Sequence, residues 1–128
     1  MKTTDHSKIF HDLRSPLNSI LGFNQLIQLS GLKDNVDQAK SEHIASIGNN
    51  LLSLIDETRN QLQIAEYPDA ISGHLQRLDY TFKVLNAVVT SYSSQNLDLD
   101  QAESLNEIKI SVKELANRIS HFNEVIAL

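Results

Sequence analysis

The residues best suited to chemistry lie in one polar run near the start of the chain. His11 is followed directly by Asp12, and Ser15 comes about one helical turn later. The unprotonated ring nitrogen of a neutral histidine is a nucleophile near neutral pH. A neighbouring carboxylate can hold the proton on the other ring nitrogen and stabilise the charge that develops during attack. The pair therefore indicates nucleophilic chemistry at His11.

Helical spacing predicts that these side chains point away from the core. The apolar side chains of the same segment would face inward, and they are Phe10, Leu13, Leu17 and Ile20. The opposite face then carries small and polar residues at positions 4, 7, 11 and 14 beyond His11, namely Ser15, Asn18, Gly22 and Gln25. Pro16 removes one backbone hydrogen bond at a cost of about 3 kcal/mol in a regular helix. We therefore expect a compensating bend or a functional reason for it.

The elements that position this run are all predicted to be helices. Apolar residues recur at spacings of three and four, and no segment alternates as a strand would. The pattern predicts helices over residues 5–29 and 36–65, a third with Pro68 in its first turn, and a fourth after Asp98. Gly31 suits the end of the first helix, and Asp98 with Gln101 resembles a capping box. The predicted core positions in the four helices are Phe10, Leu13, Leu17, Ile20, Asn24 and Ile27; Ile44, Ile47, Leu51, Leu52, Leu54 and Ile55; Ile71, Leu75, Leu78, Phe82, Leu85, Val89 and Tyr92; and Leu105, Ile108, Val112, Leu115, Ile119, Phe122 and Ile126.

Four long helices with short connections restrict the fold. A helix of about 27 residues is about 40 Å long, so neighbours joined by short loops must lie antiparallel. The sequence therefore predicts an all-α, antiparallel up-down four-helix bundle. It would form one structural domain from two helical hairpins, residues 1–66 and 67–128.

Composition excludes several function classes. The 128 residues carry no cysteine and a formal net charge of −5, which disfavours nucleic-acid and anionic-membrane partners. The spacing of the histidines does not predict a metal site. No apolar run approaches the roughly 18 residues of a membrane span, and Met1 is followed by polar residues rather than by an apolar signal segment. We expect a cytoplasmic protein.

The run His11-Asp12-Leu13-Arg14-Ser15-Pro16-Leu17 resembles the H-box of the dimerisation and histidine-phosphotransfer domain of sensor histidine kinases. Ile20-Leu21-Gly22-Phe23 is similar to the usual continuation, and Leu51-Leu52-Ser53-Leu54-Ile55-Asp56 is similar to the leucine-rich segment that closes the family's hairpin. The resemblance covers residues 7–66. It implies that His11 accepts a phosphoryl group, that Asp12 is its acid/base partner, and that Ser15 occupies the place of the polar residue that orients water for dephosphorylation. A receiver domain would then dock on Arg14, Asn18, Gly22 and Gln25.

Residues 67–128 lack the glycine-rich boxes and the asparagine-bearing helix of that family's ATP-binding domain. We therefore expect no autonomous kinase activity and no cofactor in this chain. A separate histidine kinase, or a phosphorylated response-regulator receiver that supplies its own Mg²⁺, would load His11. The third and fourth helices would take the place of a second subunit, which slightly favours a monomer over a homodimer. The alternative function is a non-catalytic module that docks and titrates a response regulator or a histidine kinase.

Overall fold

The computed structural model describes residues 7–64 and 69–127, with side chains described for residues 7–63 and 71–126. Four helices account for nearly all of these residues: α1 (Ser7–Leu29), α2 (Asn35–Ile64), α3 (Asp69–Ser91) and α4 (Leu99–Ala127). The described ranges contain no strand, so the all-helical prediction is confirmed. The predicted first-helix start at residue 5, the second-helix end at residue 65 and the place of Pro68 lie outside the described residues. Across the same ranges, none of the helices combines the length and the apolar character needed to cross a membrane.

The helices pack as a bundle in which each one contacts two others. α1 packs against α2 and α4, and α3 packs against the same two helices. The apolar stripes predicted from the sequence supply the core, because all but four of their residues are buried. The four exceptions are only half-buried, since they lie at the margins of the stripes: Leu52, Leu54, Leu75 and Ile126.

Polar side chains fix the ends of the helices at one end of the bundle. Gly31 follows α1 with φ of 82°, a left-handed conformation that glycine adopts without strain. The predicted capping box is confirmed: the Gln101 amide donates to Asp98 Oδ1 (2.8 Å) and the Asp98 amide donates to Gln101 Oε1 (3.1 Å). Gln101 Nε2 also donates to the Ser30 hydroxyl (2.9 Å) and to the Gly31 carbonyl (3.2 Å). The start of α4 is therefore tied to the loop that follows α1.

Two contacts fix how α1, the helix that carries His11, sits on its neighbours. The rings of Phe10 and Phe122 meet edge to face, with centroids 5.2 Å apart and an interplanar angle of 66°. On the α2 side, the side chain of Leu21 lies directly over Gly48, where a Cβ atom would be 2.5 Å from Leu21 Cδ2. Close packing on both sides therefore determines which face of α1 is turned outward.

Candidate functional site

His11 lies exposed on the outer surface of α1. Its neighbours Phe10 and Leu13 are fully buried, so packing of the helix determines the outward direction of the imidazole. Among the described residues, the His11 ring makes no hydrogen bond or ion pair. The ring is therefore accessible to a reactant and is not tied to a structural role.

Asp12 is turned toward α4 rather than straight outward. Its side chain is 27% exposed, and its Oδ2 lies 3.9 Å from Nη1 of Arg118. Nη2 of the same guanidinium lies 3.5 Å from Oε1 of Glu114, one turn earlier in α4. We expected Asp12 to share the outward face of His11, and this was wrong because consecutive helical residues point about 100° apart. Arg118 could not be identified from the sequence, because its i,i+4 pairing with Glu114 gives no indication of a contact with α1.

The other residues of the predicted outward face are all exposed, as their spacing requires; they are Ser15, Asn18, Gly22 and Gln25. The carbonyl of Ser15 accepts a hydrogen bond from the Ser19 hydroxyl at 3.4 Å. Nothing lies within 4 Å of the position that a Cβ atom at Gly22 would occupy. Packing within the chain therefore does not require this glycine to be small.

Arg14 is held against α2. Its Nη2 lies 3.2 Å from Oδ1 and 3.3 Å from Oδ2 of Asp56, and both side chains remain partly exposed. The sequence predicts that Arg14 takes part in partner docking, and it gives no indication of the contact with Asp56. Arg14 thus contributes first to the contact between α1 and α2 and presents only part of its surface to a partner.

Pro16 lies within the uninterrupted helix α1 and is buried. Because proline has no N–H, the carbonyl of Asp12 does not receive the usual bond from the residue four positions later. The ring instead adds apolar surface to the contacts that α1 makes with the core. The helix continues through residue 16, so a bend sharp enough to interrupt it is not what offsets the cost.

A second group of buried polar residues lies about 20 Å further along α1 from His11, at the 1.5 Å rise per residue of a helix. Asn24 and Ser41 are fully buried and hydrogen-bond to each other. Asp37 is also buried, and burial, with a smaller contribution from Asp34, raises the pKa of its carboxyl. Burial, and then the nearby charge of Asp37, raises the pKa of Tyr92 to about 12.

Comparisons with protein-family models, with curated proteins and with solved structures find no match for this chain. One end of α1 carries the exposed ring of His11, and the carboxylate of the adjacent residue contacts a guanidinium from α4. These groups suit the transfer of an anionic group to the ring.

Proposed function

We propose that this protein is a histidine phosphotransfer component of a two-component signalling pathway, which accepts a phosphoryl group on His11 and exchanges it with the aspartate of a receiver domain. One observation carries the proposal. His11 is exposed at the start of a small and polar outward face of α1, and the next residue, Asp12, turns its partly buried carboxylate toward α4. The H-box resemblance of residues 11–17 supports the same role.

The transfer step requires only groups that this chain and a receiver supply. The lone pair of a His11 ring nitrogen forms a bond to phosphorus, while the bond from phosphorus to the receiver's aspartyl oxygen breaks. The electron pair of the broken bond leaves with the aspartate as a carboxylate, and the receiver's Mg²⁺ offsets the charge on the phosphoryl oxygens. The proton on the other ring nitrogen stays on the ring or passes to Asp12. The reverse step returns the phosphoryl group to the receiver.

The outward face of α1 would be the docking surface for the receiver. From His11 to Gln25 it extends about 21 Å, a length suited to one small globular partner. Asn18 and Gly22, between these ends, leave the helix backbone approachable by loops of the partner. Arg14 borders this surface on the side of α2.

An antiparallel up-down arrangement of one self-contained bundle is part of this proposal. In support, Arg14 near the start of α1 contacts Asp56 late in α2, whereas Asn24 late in α1 contacts Ser41 early in α2. The pairs Phe10 with Phe122 and Ser30 with Gln101 support the same reversed direction for α1 and α4. A chain that closes its own bundle would act as a monomer, and light scattering tests this against twice the 14.4 kDa mass. Exchange with receivers also implies a cytoplasmic location.

The experiment is phosphoryl exchange with a panel of receiver domains carrying labelled aspartyl phosphate. We expect label on the wild-type chain that is acid-labile and base-stable, as a phosphorus–nitrogen bond is. The variant His11→Ala should accept no label and keep its melting temperature, because the side chain is exposed. His43→Ala, which removes another exposed histidine in α2, is the matched control and should accept label as the wild type does. Label on His11→Ala would overturn the assignment.

The non-catalytic alternative has one observation in its favour. The carboxylate of Asp12 contacts Arg118, and no hydrogen bond joins it to the His11 ring within the described part of the chain. A module that docks a receiver or a histidine kinase without transferring phosphate would show tight binding and no label in the same experiment. That combination of results would favour the alternative, in which this chain titrates its partner, over phosphoryl transfer.

A further inference from the structure

Arg118 is held only loosely, and one of its contacts is with Asp12, the residue that follows the proposed acceptor. Its two contacts, 3.9 Å to Asp12 and 3.5 Å to Glu114, are long for charge-assisted hydrogen bonds, and its side chain is 43% exposed. Exposed ion pairs of this kind contribute about 0–1 kcal/mol. The guanidinium can therefore exchange these carboxylates for another anion at small cost.

The other cations near His11 are placed differently. Arg14 makes two contacts of 3.2 and 3.3 Å with Asp56 and is directed toward α2. Lys8 lies three residues before His11 on an exposed part of α1, but its flexible ammonium acts as a point charge. Arg118 differs from both, because it already contacts the residue adjacent to His11 and has the planar donor geometry that matches phosphate.

A phosphoryl group on His11 would change the charge balance around Asp12. Such a group carries about 1.5 to 2 negative charges at neutral pH. It would stand on the residue before Asp12, whose carboxylate now contacts the loosely held guanidinium of Arg118. Bidentate bonding to phosphoryl oxygens is stronger than either long contact that Arg118 now makes.

We propose that Arg118 binds the phosphoryl group of phosphorylated His11 and gives up its contact with Asp12 when it does so. Arg118 then stabilises the phosphorylated chain, and Asp12 becomes free to interact with the proton of the ring. The inference deepens the proposed function, and it requires only that His11 carry a phosphoryl group, whatever the donor.

Phosphoramidate tests this without any partner protein. It transfers its phosphoryl group to a histidine ring nitrogen: the phosphorus–nitrogen bond of the reagent breaks, a new one forms to the ring, and ammonia leaves. His43 is exposed on α2 and provides an internal reference in the same sample. We expect the ratio of phospho-His11 to phospho-His43, measured by ³¹P NMR, to be about tenfold lower in Arg118→Gln than in the wild type, as for loss of a charge-assisted bond.

Four further measurements make the test specific. Arg118→Lys should recover part of the ratio, because it keeps the charge and loses the fork geometry. Arg77→Gln, an exposed arginine of α3 that contacts His74, is the matched control and should leave the ratio unchanged. The Nε–H resonance of Arg118 should move on phosphorylation of the wild type and stay in place for His11→Ala. Melting temperatures that agree within about 2 °C among these variants would exclude unfolding as the cause, as expected for surface changes.

The outcomes separate this inference from the proposed function. Equal ratios in the wild type and Arg118→Gln, with an unmoved Arg118 resonance, would overturn the role of Arg118 alone. Normal ratios and a moved resonance, without exchange with any receiver, would overturn the phosphotransfer function alone. If phosphoramidate labels His43 but never His11, both proposals are wrong.

Discussion

Asn24 of α1 and Ser41 of α2 hydrogen-bond to each other in both directions inside the bundle. Asn24 Nδ2 donates to the Ser41 carbonyl at 2.9 Å, and the Ser41 hydroxyl donates to Asn24 Oδ1 at 2.7 Å. Both residues are fully buried, so each polar group depends on the other. The pair fixes the register of the two helices, and the contact of Arg14 with Asp56 depends on the same register.

Removal of either residue should therefore lower the free energy of unfolding by more than the hydrogen bonds themselves contribute. We expect Asn24→Ala to lower the free energy of unfolding by about 2–4 kcal/mol and Ser41→Ala by about 1–3 kcal/mol, because each leaves a buried polar group without its partner. In the double variant the loss should be smaller than the sum of the two. Urea unfolding of all four proteins gives this double-mutant cycle, and strictly additive losses would contradict the coupling.

Gly48 lies at a close approach of α1 and α2, where the side chain of Leu21 occupies the space that a Cβ atom would need. Alanine at this position would place its Cβ 2.5 Å from Leu21 Cδ2 and 3.2 Å from Leu21 Cγ. Overpacking costs about 1–3 kcal/mol, and the better helix propensity of alanine returns about 1 kcal/mol. We expect a net loss of about 1 kcal/mol for Gly48→Ala in thermal unfolding. In a Leu21→Ala background the same change should become stabilising, and a loss that persists there would show that Leu21 is not the cause.

The buried tyrosine should make stability fall at alkaline pH. An unfolded tyrosine ionises near pH 10, whereas Tyr92 in the folded chain keeps its proton to about pH 12. The contribution of this pKa difference to the free energy of unfolding is therefore fully present below pH 10. It is lost as the pH rises to 12, by about 3 kcal/mol at most. Tyr92→Phe should remove this part of the slope in unfolding experiments from pH 9 to 12. At pH 7 it should raise stability by about 1 kcal/mol, because the hydroxyl has no hydrogen-bond partner among the described residues. Parallel pH profiles of stability for the wild type and Tyr92→Phe would contradict the assignment of this slope to Tyr92.

The sequence predicted the helices and the core well, because both follow from apolar periodicity. The capping box of Asp98 and Gln101 was also predictable, since it depends on two residues three positions apart. The bond that Gln101 donates to Ser30 was not, because it joins residues 71 positions apart. Asn24 shows the same limit: its place in the stripe was evident, and its partner Ser41 was not.

In the candidate site, the exposure of the residues could also be predicted from the sequence, whereas their contacts with other helices could not. The exposure of His11, Asn18 and Gly22 follows from their angles around α1, which the buried residues of that helix determine. The contacts of the charged residues depend on the neighbouring helices. Arg118 meets Asp12 only because of the α1–α4 register, to which the packing of aromatic residues from the two helices contributes. No spacing within one helix carries that information.

Asp12 should affect the rate of phosphoryl exchange more than the binding of a receiver. We expect Asp12→Asn to slow exchange by about 10²- to 10⁴-fold if the carboxylate acts as a general acid/base. Glu114→Gln is the matched control, because it removes the other carboxylate that contacts Arg118 and leaves Asp12 in place. Its exchange rate should stay within a few-fold of the wild type. Equal slowing in both variants would show that the exchange rate depends on the negative charge around Arg118 and that Asp12 has no acid/base role.

The small size of Gly22 should matter to a partner and not to the fold. Gly22 and Gly73 are both exposed helical glycines with open space where a Cβ would stand, but only Gly22 lies on the face that carries His11. Replacing either by alanine should raise the free energy of unfolding by about 1 kcal/mol, because glycine is a poor helix former. Replacing either by glutamine should also be tolerated in the fold. For receiver exchange the two positions should differ: Gly22→Gln should weaken docking at least tenfold, since a long side chain would stand in the contact, and Gly73→Gln should have no effect. Titration calorimetry with a receiver that exchanges label measures this, and equal affinities for the two variants would place the docking surface elsewhere on the bundle.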